Sequence, residues 1–348
     1  MKPNTTRIER KYRQNMQGPS QRGIALLVIL LIVAIVSILA TEMMARLQIN
    51  VARTVNIKDN NQAYWYAVGA EQFAEKSLND LKTLSPDNMN LGQPWAQVFE
   101  YPMDGGGIQA ELIDLQSCFN LNTVVLPESA SGVENLNAAA KSPAQGFFNL
   151  ISLSTEDIDS FTAETVRDSL KDWLDADNDI SGYGAEDADY ESLRFPYVAA
   201  NGLMTNKSQL RLVNGIEMDN LRNLLPHVCV IPDPEFNIME ININTVKEEN
   251  AHVIAAMLNL NLDATKRIIA SRPLDGFADT NDFLSEPEIA AKELTAEQKA
   301  WFVIKTNYFM LVTKTRYNNA TFKMVSIFKL DSEGEGVSVI SREFGGIN

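Results

Sequence analysis

The sequence predicts an α/β (α+β) fold with a long N-terminal helix, an antiparallel sheet and a large inserted all-helical subdomain. Three observations support this prediction. An apolar pattern begins at Ile24 and continues at helical spacing, β-rich runs occur at both ends of the remaining chain, and the pattern between them, roughly from Phe147 to Phe302, is helical.

The first segment has the charge pattern of a membrane anchor. Residues 1–23 hold six basic residues and one acidic residue, and the 17 residues from Ile24 to Ala40 carry no charge. This apolar run is at the lower limit for spanning a bilayer. The basic leader predicts a cytoplasmic N-terminus and an exported body. A conventional signal peptide is disfavoured because Ile38 occupies a position that should be small before a cut after Ala40.

The apolar pattern continues beyond this segment, which predicts one helix over residues 24–84 that includes the transmembrane part. Pro86 is the predicted stop. The residues that continue the three- and four-residue spacing are Met43, Met44, Leu47, Val51, Val55 and Ile57, followed by the stretch from Tyr64 to Leu81.

Residues 85–125 and 303–348 are the predicted β-sheet regions. After a polar connector, "GGGIQAELIDLQSCFNLNTVV" (105–125) indicates a glycine turn and a strand. Asn318-Asn319 and Ser332 to Glu335 separate three later runs, as in an antiparallel meander. These runs are Tyr308 to Thr315, Ala320 to Leu330 and Gly336 to Glu343.

Residues 126–302 are the predicted helical insertion, beginning with a loop rich in Ser, Asn, Ala and Glu from Pro127 to Pro143. The alternative is an independent α domain followed by an independent β domain. We favour the insertion because 105–125 alone would make too small a sheet.

The exported body is strongly acidic. The whole chain has a net charge of −15, but residues 24–348 carry 24 basic and 44 acidic side chains, or −20. Such a body repels nucleic acid and anionic lipid and could attract a divalent cation, although acidic residues also serve simply to solvate a surface.

The two cysteines, Cys118 and Cys229, belong to no C-x-x-C pair or zinc-like cluster. In an exported body they can form one internal disulfide. Closing a loop of roughly 110 residues would contribute about 4–5 kcal/mol in the chain-entropy model. Two buried free thiols are the alternative.

The N-terminus resembles that of type IV pilins and type II secretion pseudopilins, in which a basic leader ends in a glycine directly before the apolar helix. The resemblance implies a prepilin leader over residues 1–23, which prepilin peptidase removes by cutting between Gly23 and Ile24. Most members of this family carry Glu at the fifth mature position, where this chain has Val28. The minor pseudopilins of the K class resemble this chain in lacking that Glu.

Further stretches extend the resemblance to the general secretion pathway protein K family along most of the chain. They are "SCFNLN" (117–122), "DWLDAD" (172–177), "GAEDADY" (184–190), "ININT" (241–245) and "DGFADTNDFL" (275–284). The resemblance implies a type IV pilin-like fold in a single-pass protein of the inner membrane with a periplasmic body. It also implies a pseudopilus tip complex with the I and J minor pseudopilins, which starts assembly and limits its length. The major pseudopilin and the inner-membrane assembly platform are further implied partners.

An acidic loop, "DWLDADNDISGYGAEDADYESL" (172–193), contains the candidate metal ligands. Asp175, Asp177, Asp179 and Glu186 follow positions 1, 3, 5 and 12 of an EF-hand count, but the glycine expected at position 6 is Ile180. A calcium loop of another geometry and a solvated acidic turn both remain open. Because the K class resembled here binds calcium in this region, we predict a Ca²⁺ site, with ligands Asp175, Asp177, Glu186, Asp187 and Asp189, and Asp179 next.

Residues 241–284 resemble a helix-hairpin-helix unit of the kind that binds DNA backbones. The hairpin lacks a glycine between Leu258 and Arg267 and has Asp263 at the expected turn, so we predict a structural role and no nucleic-acid partner. Ile254, Leu258, Ile268 and Ile269 are predicted to pack in the helical core.

No catalytic constellation is recognisable, since neither His227 nor His252 has a suitably spaced partner, and we predict that the chain is not an enzyme. The sequence is also compatible with two functions other than that of a secretion component. An exported binding module of the DNA-uptake kind is disfavoured by the missing hairpin glycine. A membrane-anchored periplasmic hydrolase that uses the acidic loop is disfavoured by the missing catalytic residues.

Overall fold

The computed structural model describes residues 22–85, 87–127, 139–155, 158–331 and 336–345. The predictions that fall wholly or partly outside the described residues include most of the leader, the stop at Pro86, and the turn from Ser332 to Glu335. Much of the predicted loop between Pro127 and Pro143 also lies outside them. The chain divides between Lys58 and Asp59 into two compact units.

Helix α1 extends over Arg22–Leu84, which confirms the predicted long N-terminal helix. In the first unit its apolar side chains from Ile24 to Ile57 are exposed. This part of α1 is long and apolar enough to cross a membrane. It is the N-terminal apolar segment expected of a single-pass anchor.

The main sheet has five antiparallel strands in the order β1-β2-β7-β8-β9. Their ranges are β1 Phe99–Met103, β2 Gly106–Asp114, β7 Tyr308–Tyr317, β8 Ala320–Leu330 and β9 Val337–Phe344. The three predicted C-terminal runs are confirmed within about two residues. Strand β1 was not predicted: "FEYPM" contains Pro102, which is tolerated because β1 is an edge strand, and most of its side chains are exposed.

The sheet combines strands from both sides of the helical region. β2 pairs with β7 along its whole length, from Gly106 opposite Tyr317 to Asp114 opposite Phe309. This pairing is the arrangement that the predicted fold class requires. The proposed domain boundaries at residues 125/126 and 302/303 are not tested by it and stay predictions.

The two faces of the sheet pack against different partners. Phe309, Leu311 and Phe328 point to one face and pack with Ala70, Ala74 and Leu78 of α1. Tyr308 and Ile327 point to the other face and pack around the cysteine pair. Buried Glu71 of α1 reinforces the first contact, since it accepts hydrogen bonds from Ser326 at 2.5 Å and from Arg342 at 2.8 Å.

In the described part of the inserted region, the regular secondary structure is helical apart from two-residue strands. Its helices are α2 Pro143–Ser154, α3 Ser160–Leu174, α4 Asp187–Glu191, α5 Met218–Leu224, α6 Ala251–Leu258, α7 Leu262–Ala270, α8 Thr280–Leu284, α9 Pro287–Ala290 and α10 Ala296–Ala300. Short parallel pairs join β3 (Phe119–Asn120) to β4 (Val228–Cys229) and β5 (Ile241–Asn242) to β6 (Phe302–Val303). They connect the insertion to the chain on both sides of it.

Two buried features lie where the insertion meets the sheet. Cys118 and Cys229 form a disulfide with their Cα atoms 5.8 Å apart, which resolves the two alternatives in favour of the bond. Asp114, at the end of β2, accepts hydrogen bonds from Thr245 and Thr306, each at 2.5 Å, and from the backbone of Gln116 at 2.6 Å. Both features join segments that are distant in sequence.

Candidate metal centre

The acidic loop (172–193) begins in the last turn of α3 and includes α4. Residues 175–186 connect the two helices, and both ends of this connection are helix termini. Asp159 caps the start of α3 by accepting a hydrogen bond from the backbone of Thr162 at 2.9 Å. Asp175 is the C-cap residue of α3 and Glu186 is the N-cap residue of α4. The carboxylates at the two ends of this connection are therefore held on rigid elements.

Three of the predicted ligands come together. One carboxylate oxygen from each of Asp175, Asp177 and Glu186 lies within 4.8 Å of the other two. Glu186 is only 4% exposed, whereas Asp177 is exposed. Both Oε atoms of Glu186 and Oδ1 of Asp175 are buried and lack a described donor at full hydrogen-bond geometry, and the backbone N–H of Asp189 reaches the Glu186 carboxylate only as a looser capping contact. Buried carboxylate oxygens without donors are costly, and a cation that they coordinate would remove that cost.

The electrostatics of the cluster agree with this geometry. Burial, followed by the charges of Asp172 and Asp175, raises the pKa of Glu186 to about 7. Burial and the charge of Asp177 also raise the pKa of Asp175. A bound divalent cation would act in the opposite sense and favour the ionised carboxylates.

The loop is folded back onto α3 by two carboxylates one helical turn apart. Asp172 accepts a hydrogen bond from the backbone of Ser181 at 3.0 Å, and Asp168 accepts one from the backbone of Tyr183, also at 3.0 Å. Sequence reasoning missed this anchoring role. The available signal was the i, i+4 spacing of Asp168 and Asp172, which places both on the face of α3 that carries the loop.

Two glycines of the acidic loop lie directly against the anchoring carboxylates of Asp168 and Asp172. Gly182 has φ +54°, and a Cβ atom on Gly184 would lie 1.9 Å from Oδ2 of Asp172. Both glycines allow the backbone to approach the anchoring carboxylates closely, which is a different role from the turn glycine of an EF-hand.

The remaining predicted ligands lie outside the three-carboxylate group. Asp179 is exposed, and its backbone N–H donates to Asp177 at 2.9 Å. Asp187 accepts a hydrogen bond from the backbone of Ala199 at 2.9 Å, and Asp189 accepts one from the backbone of Glu186 at 3.1 Å. In the described structure these contacts hold the chain that surrounds the cluster.

The other predicted sites lie elsewhere in the fold. Gly23, Ile24 and Val28 are in the first two turns of α1, where Val28 is 47% exposed. The rings of His227 and His252, which the sequence assigns to no site, lie with their centroids 4.1 Å apart and their planes tilted by 33°.

The helix-hairpin-helix segment consists of α6 and α7. Its turn is at Asn259, with φ 48°, and Asn261 caps α7. The prediction that Asp263 occupies the turn is wrong. Asn259 adopts the left-handed conformation, which asparagine tolerates, so the turn comes earlier in the chain. Asp263 therefore lies in the first turn of α7. The four predicted core residues are buried in the helical core, which confirms their packing role.

Known proteins resemble the chain over most of its length. The family model described as "Type II secretion system (T2SS), protein K" matches residues 117–233 and, in a second part, residues 241–305. Type II secretion system protein K of Pectobacterium carotovorum subsp. carotovorum is 34% identical, and the match covers 94% of this chain and 97% of that protein. The corresponding protein of Aeromonas hydrophila is 39% identical over 74% of this chain and 77% of its own length.

A solved structure agrees with these sequence matches. A chain of the GspK-GspI-GspJ complex from the enterotoxigenic Escherichia coli type 2 secretion system superposes with a TM-score of 0.71 at 28% identity, covering 85% of this chain and 100% of that chain. The long N-terminal helix, the antiparallel sheet and the helical insertion thus define a minor pseudopilin of a type II secretion system. Within that class, the chain belongs to the type II secretion system protein K family.

Proposed function

We propose that this minor pseudopilin occupies the tip of the pseudopilus, where it joins the I- and J-class minor pseudopilins, helps to start assembly and limits pseudopilus length during export of folded proteins. The observation that carries the proposal is the match to the whole GspK chain of the GspK-GspI-GspJ complex. The inserted helical region, which lies between the strands β2 and β7, provides the bulk that would hinder the addition of another subunit above it.

The proposed route to the tip begins in the inner membrane. The apolar part of α1 would span the membrane with the N-terminus in the cytoplasm and the body in the periplasm. Prepilin peptidase would cut between Gly23 and Ile24, and the major pseudopilin and the inner-membrane assembly platform would then receive the subunit. N-terminal sequencing of the mature protein from cells with and without the peptidase tests the cut, which requires Ile24 as the first residue only when the peptidase is present.

Location is tested by labelling the periplasmic body and imaging isolated pseudopili. We expect label at one end of each fibre and cross-links from the body to the I and J subunits. Label spaced along the fibres would refute the tip position. The cross-linking result then decides independently whether the I and J subunits are neighbours.

We also propose that the acidic loop binds Ca²⁺ through Asp175, Asp177 and Glu186, with Asp179, Asp187 and Asp189 near enough in sequence to complete the shell after local adjustment. Hard oxygen donors suit Ca²⁺, which takes about six to eight oxygen ligands, more than one oxygen from each of three carboxylates provides. The unpartnered oxygens of Glu186 and Asp175 support this proposal, and bound Ca²⁺ would link the end of α3 to the start of α4.

Calorimetric titration of the chelator-treated full chain in detergent tests calcium binding. Wild type should bind Ca²⁺ and melt at a higher temperature with it, because ligand binding stabilises the folded state. Glu186→Gln and Asp175→Asn should lose most of both effects. Asp80→Asn, which changes an exposed carboxylate on α1, is the matched control and should behave as wild type. Equal binding by all four proteins would exclude this site.

A further inference from the structure

A cavity of about 240 Å³ lies between the sheet and the inserted region. Its floor is on the face of the sheet that points away from α1 and includes a row of directly paired residues across neighbouring strands: Ile113, Met310, Ile327 and Ser341. Its walls come from residues 205–207, from Pro226 and residues 228–230, and from Lys247, Glu249 and Asn250, beside the disulfide. The cavity thus has an apolar floor and a partly polar wall.

Lys207 on this wall lacks an acidic partner. Its Nζ atom lies 3.5 Å from the carbonyl of Leu225, and none of the described carboxylates forms an ion pair with it. Glu343 also lines the cavity, but its two oxygens accept from Asn206 at 2.6 and 2.7 Å. A half-buried ammonium without a counter-ion is unexpected in a body that has 44 acidic side chains.

Burial lowers the pKa of the Lys207 ammonium, because the surrounding protein solvates the charge less well than water does. Two exposed charged residues at the rim, Lys247 and Glu249, have opposite signs. Glu343 also carries a negative charge, but both of its oxygens already accept hydrogen bonds from Asn206. Among the described contacts, Lys207 is the charged residue inside the cavity whose head group has only one long hydrogen bond. An anion at this position would both satisfy the ammonium and raise its pKa.

We propose that the cavity binds the C-terminal residue of a peptide, with an apolar side chain on the floor and the terminal carboxylate at Lys207. The apolar floor argues against a bare inorganic anion, which would leave Ile113, Met310 and Ile327 uncovered. The side-chain amide of Asn250 on the wall offers a further hydrogen-bond donor. Capture of a chain terminus beside a sheet is an established mode of peptide recognition.

The occupant is thus a protein partner with a free, apolar C-terminus. This inference depends on neither the calcium site nor the position at the tip. It adds a recognition site at the junction of the sheet and the insertion.

Fluorescence polarisation with the full chain in nonionic detergent tests the inference. The probe is fluorescein-labelled Gly-Ser-Gly-Ser-Ala-Leu with a free carboxylate, compared with the same peptide as its C-terminal amide. We expect the amide to bind about tenfold more weakly, because it lacks the charge-assisted bond to Lys207. Lys207→Met, which keeps the length of the side chain, should bind both peptides equally weakly.

Lys299→Met on α10 is the matched control and should keep the preference for the free carboxylate, since Lys299 is exposed and does not line the cavity. Thermal melting confirms that each variant is folded. Undetectable binding of the free-carboxylate peptide to wild type, equal affinity of wild type for the two peptides, or an unchanged preference in Lys207→Met would each overturn the proposal.

Discussion

Asp172 of α3 accepts a hydrogen bond from the backbone N–H of Ser181, with 3.0 Å between Ser181 N and Asp172 Oδ1. Asp172 is fully buried, and burial raises the pKa of its carboxyl group despite this bond. The contact fixes the middle of the acidic loop to the helix that precedes it. The position of the loop, and with it the geometry of the candidate calcium site, therefore depends on a carboxylate that is not itself in the three-carboxylate cluster.

The close approach at Gly184 makes this dependence testable. In Gly184→Ala the new Cβ would lie 1.9 Å from Oδ2 of Asp172, so the loop or the Asp172 side chain has to move. We expect a loss of about 1–3 kcal/mol in the free energy of unfolding, as for other overpacked sites. The increase in melting temperature on adding Ca²⁺ should also become smaller.

Gly202→Ala is the matched control for this substitution. A Cβ atom there would meet its nearest neighbour, the carbonyl oxygen of Ala200, at 3.7 Å, which is an ordinary contact. Urea unfolding and thermal melts of the two variants, each with and without Ca²⁺, give the comparison. A Gly184→Ala protein as stable and as responsive to Ca²⁺ as Gly202→Ala would contradict the role given to the close approach.

The architecture was predictable because it follows from a periodic pattern of apolar residues that extends over long segments. The apolar spacing from Ile24 to Leu84 and the alternation in Tyr308 to Leu330 persist over many residues, so local irregularities do not hide them. Strand β1 was missed because it is short and exposed, and because Pro102 argues against a strand although Phe99, Tyr101 and Met103 alternate with it and Glu100. Its pairing with β2 depends on tertiary context.

The candidate site was predictable in composition but only partly in geometry. Spacing selected Asp175, Asp177, Asp179 and Glu186, of which Asp179 lies outside the group and the other three converge. Spacing alone could not distinguish them from Asp187 and Asp189, whose hydrogen bonds go to backbone N–H groups. Nothing in the sequence singled out Lys207. The lack of an acidic partner is visible only in the folded structure, where the 3₁₀ helix Lys207–Leu212 contributes Lys207 to the cavity wall.

The disulfide should be a major source of stability for the exported body. Cys118 and Cys229 are separated by 111 residues, and cross-linking so long a loop restricts the unfolded chain. The double variant Cys118→Ala/Cys229→Ala should lose about 2–5 kcal/mol in the free energy of unfolding. Urea unfolding with and without reductant is the measurement. Reductant should destabilise wild type and leave the double variant unchanged; equal sensitivity would show that the bond contributes little.

Asn259 offers a test of the structural role of the helix pair α6–α7. Its φ of 48° is left-handed, so Asn259→Gly should be neutral or slightly stabilising, whereas Asn259→Ala should lose about 1 kcal/mol. The glycine variant also restores the residue type found in DNA-binding hairpins. We expect it to show no salt-dependent DNA affinity in filter binding, because the body carries a charge of −20. Retention of DNA at low salt would reverse the assignment.

Asp114 predicts a pH dependence that is independent of the calcium site. Burial raises the pKa of this carboxyl group from 3.8 to about 6, although Thr245, Thr306, Gln116 and Asn242 donate hydrogen bonds that lower it. Between these two values the folded protein keeps a proton that the unfolded chain releases. Stability linked to this group is therefore fully present below pH 3.8 and falls as the pH rises towards 6.

In Asp114→Asn this dependence should disappear, because the amide does not titrate. The measurement is the free energy of unfolding by urea from pH 4 to 7 for both proteins, in saturating Ca²⁺ so that the acidic loop does not contribute. Relative to the variant, wild type should lose up to about 3 kcal/mol across this range. Asp80→Asn, at an exposed position on α1, controls for the loss of one negative charge and should follow wild type. Parallel curves for wild type and Asp114→Asn would mean that Asp114 keeps the same charge in the folded and unfolded protein.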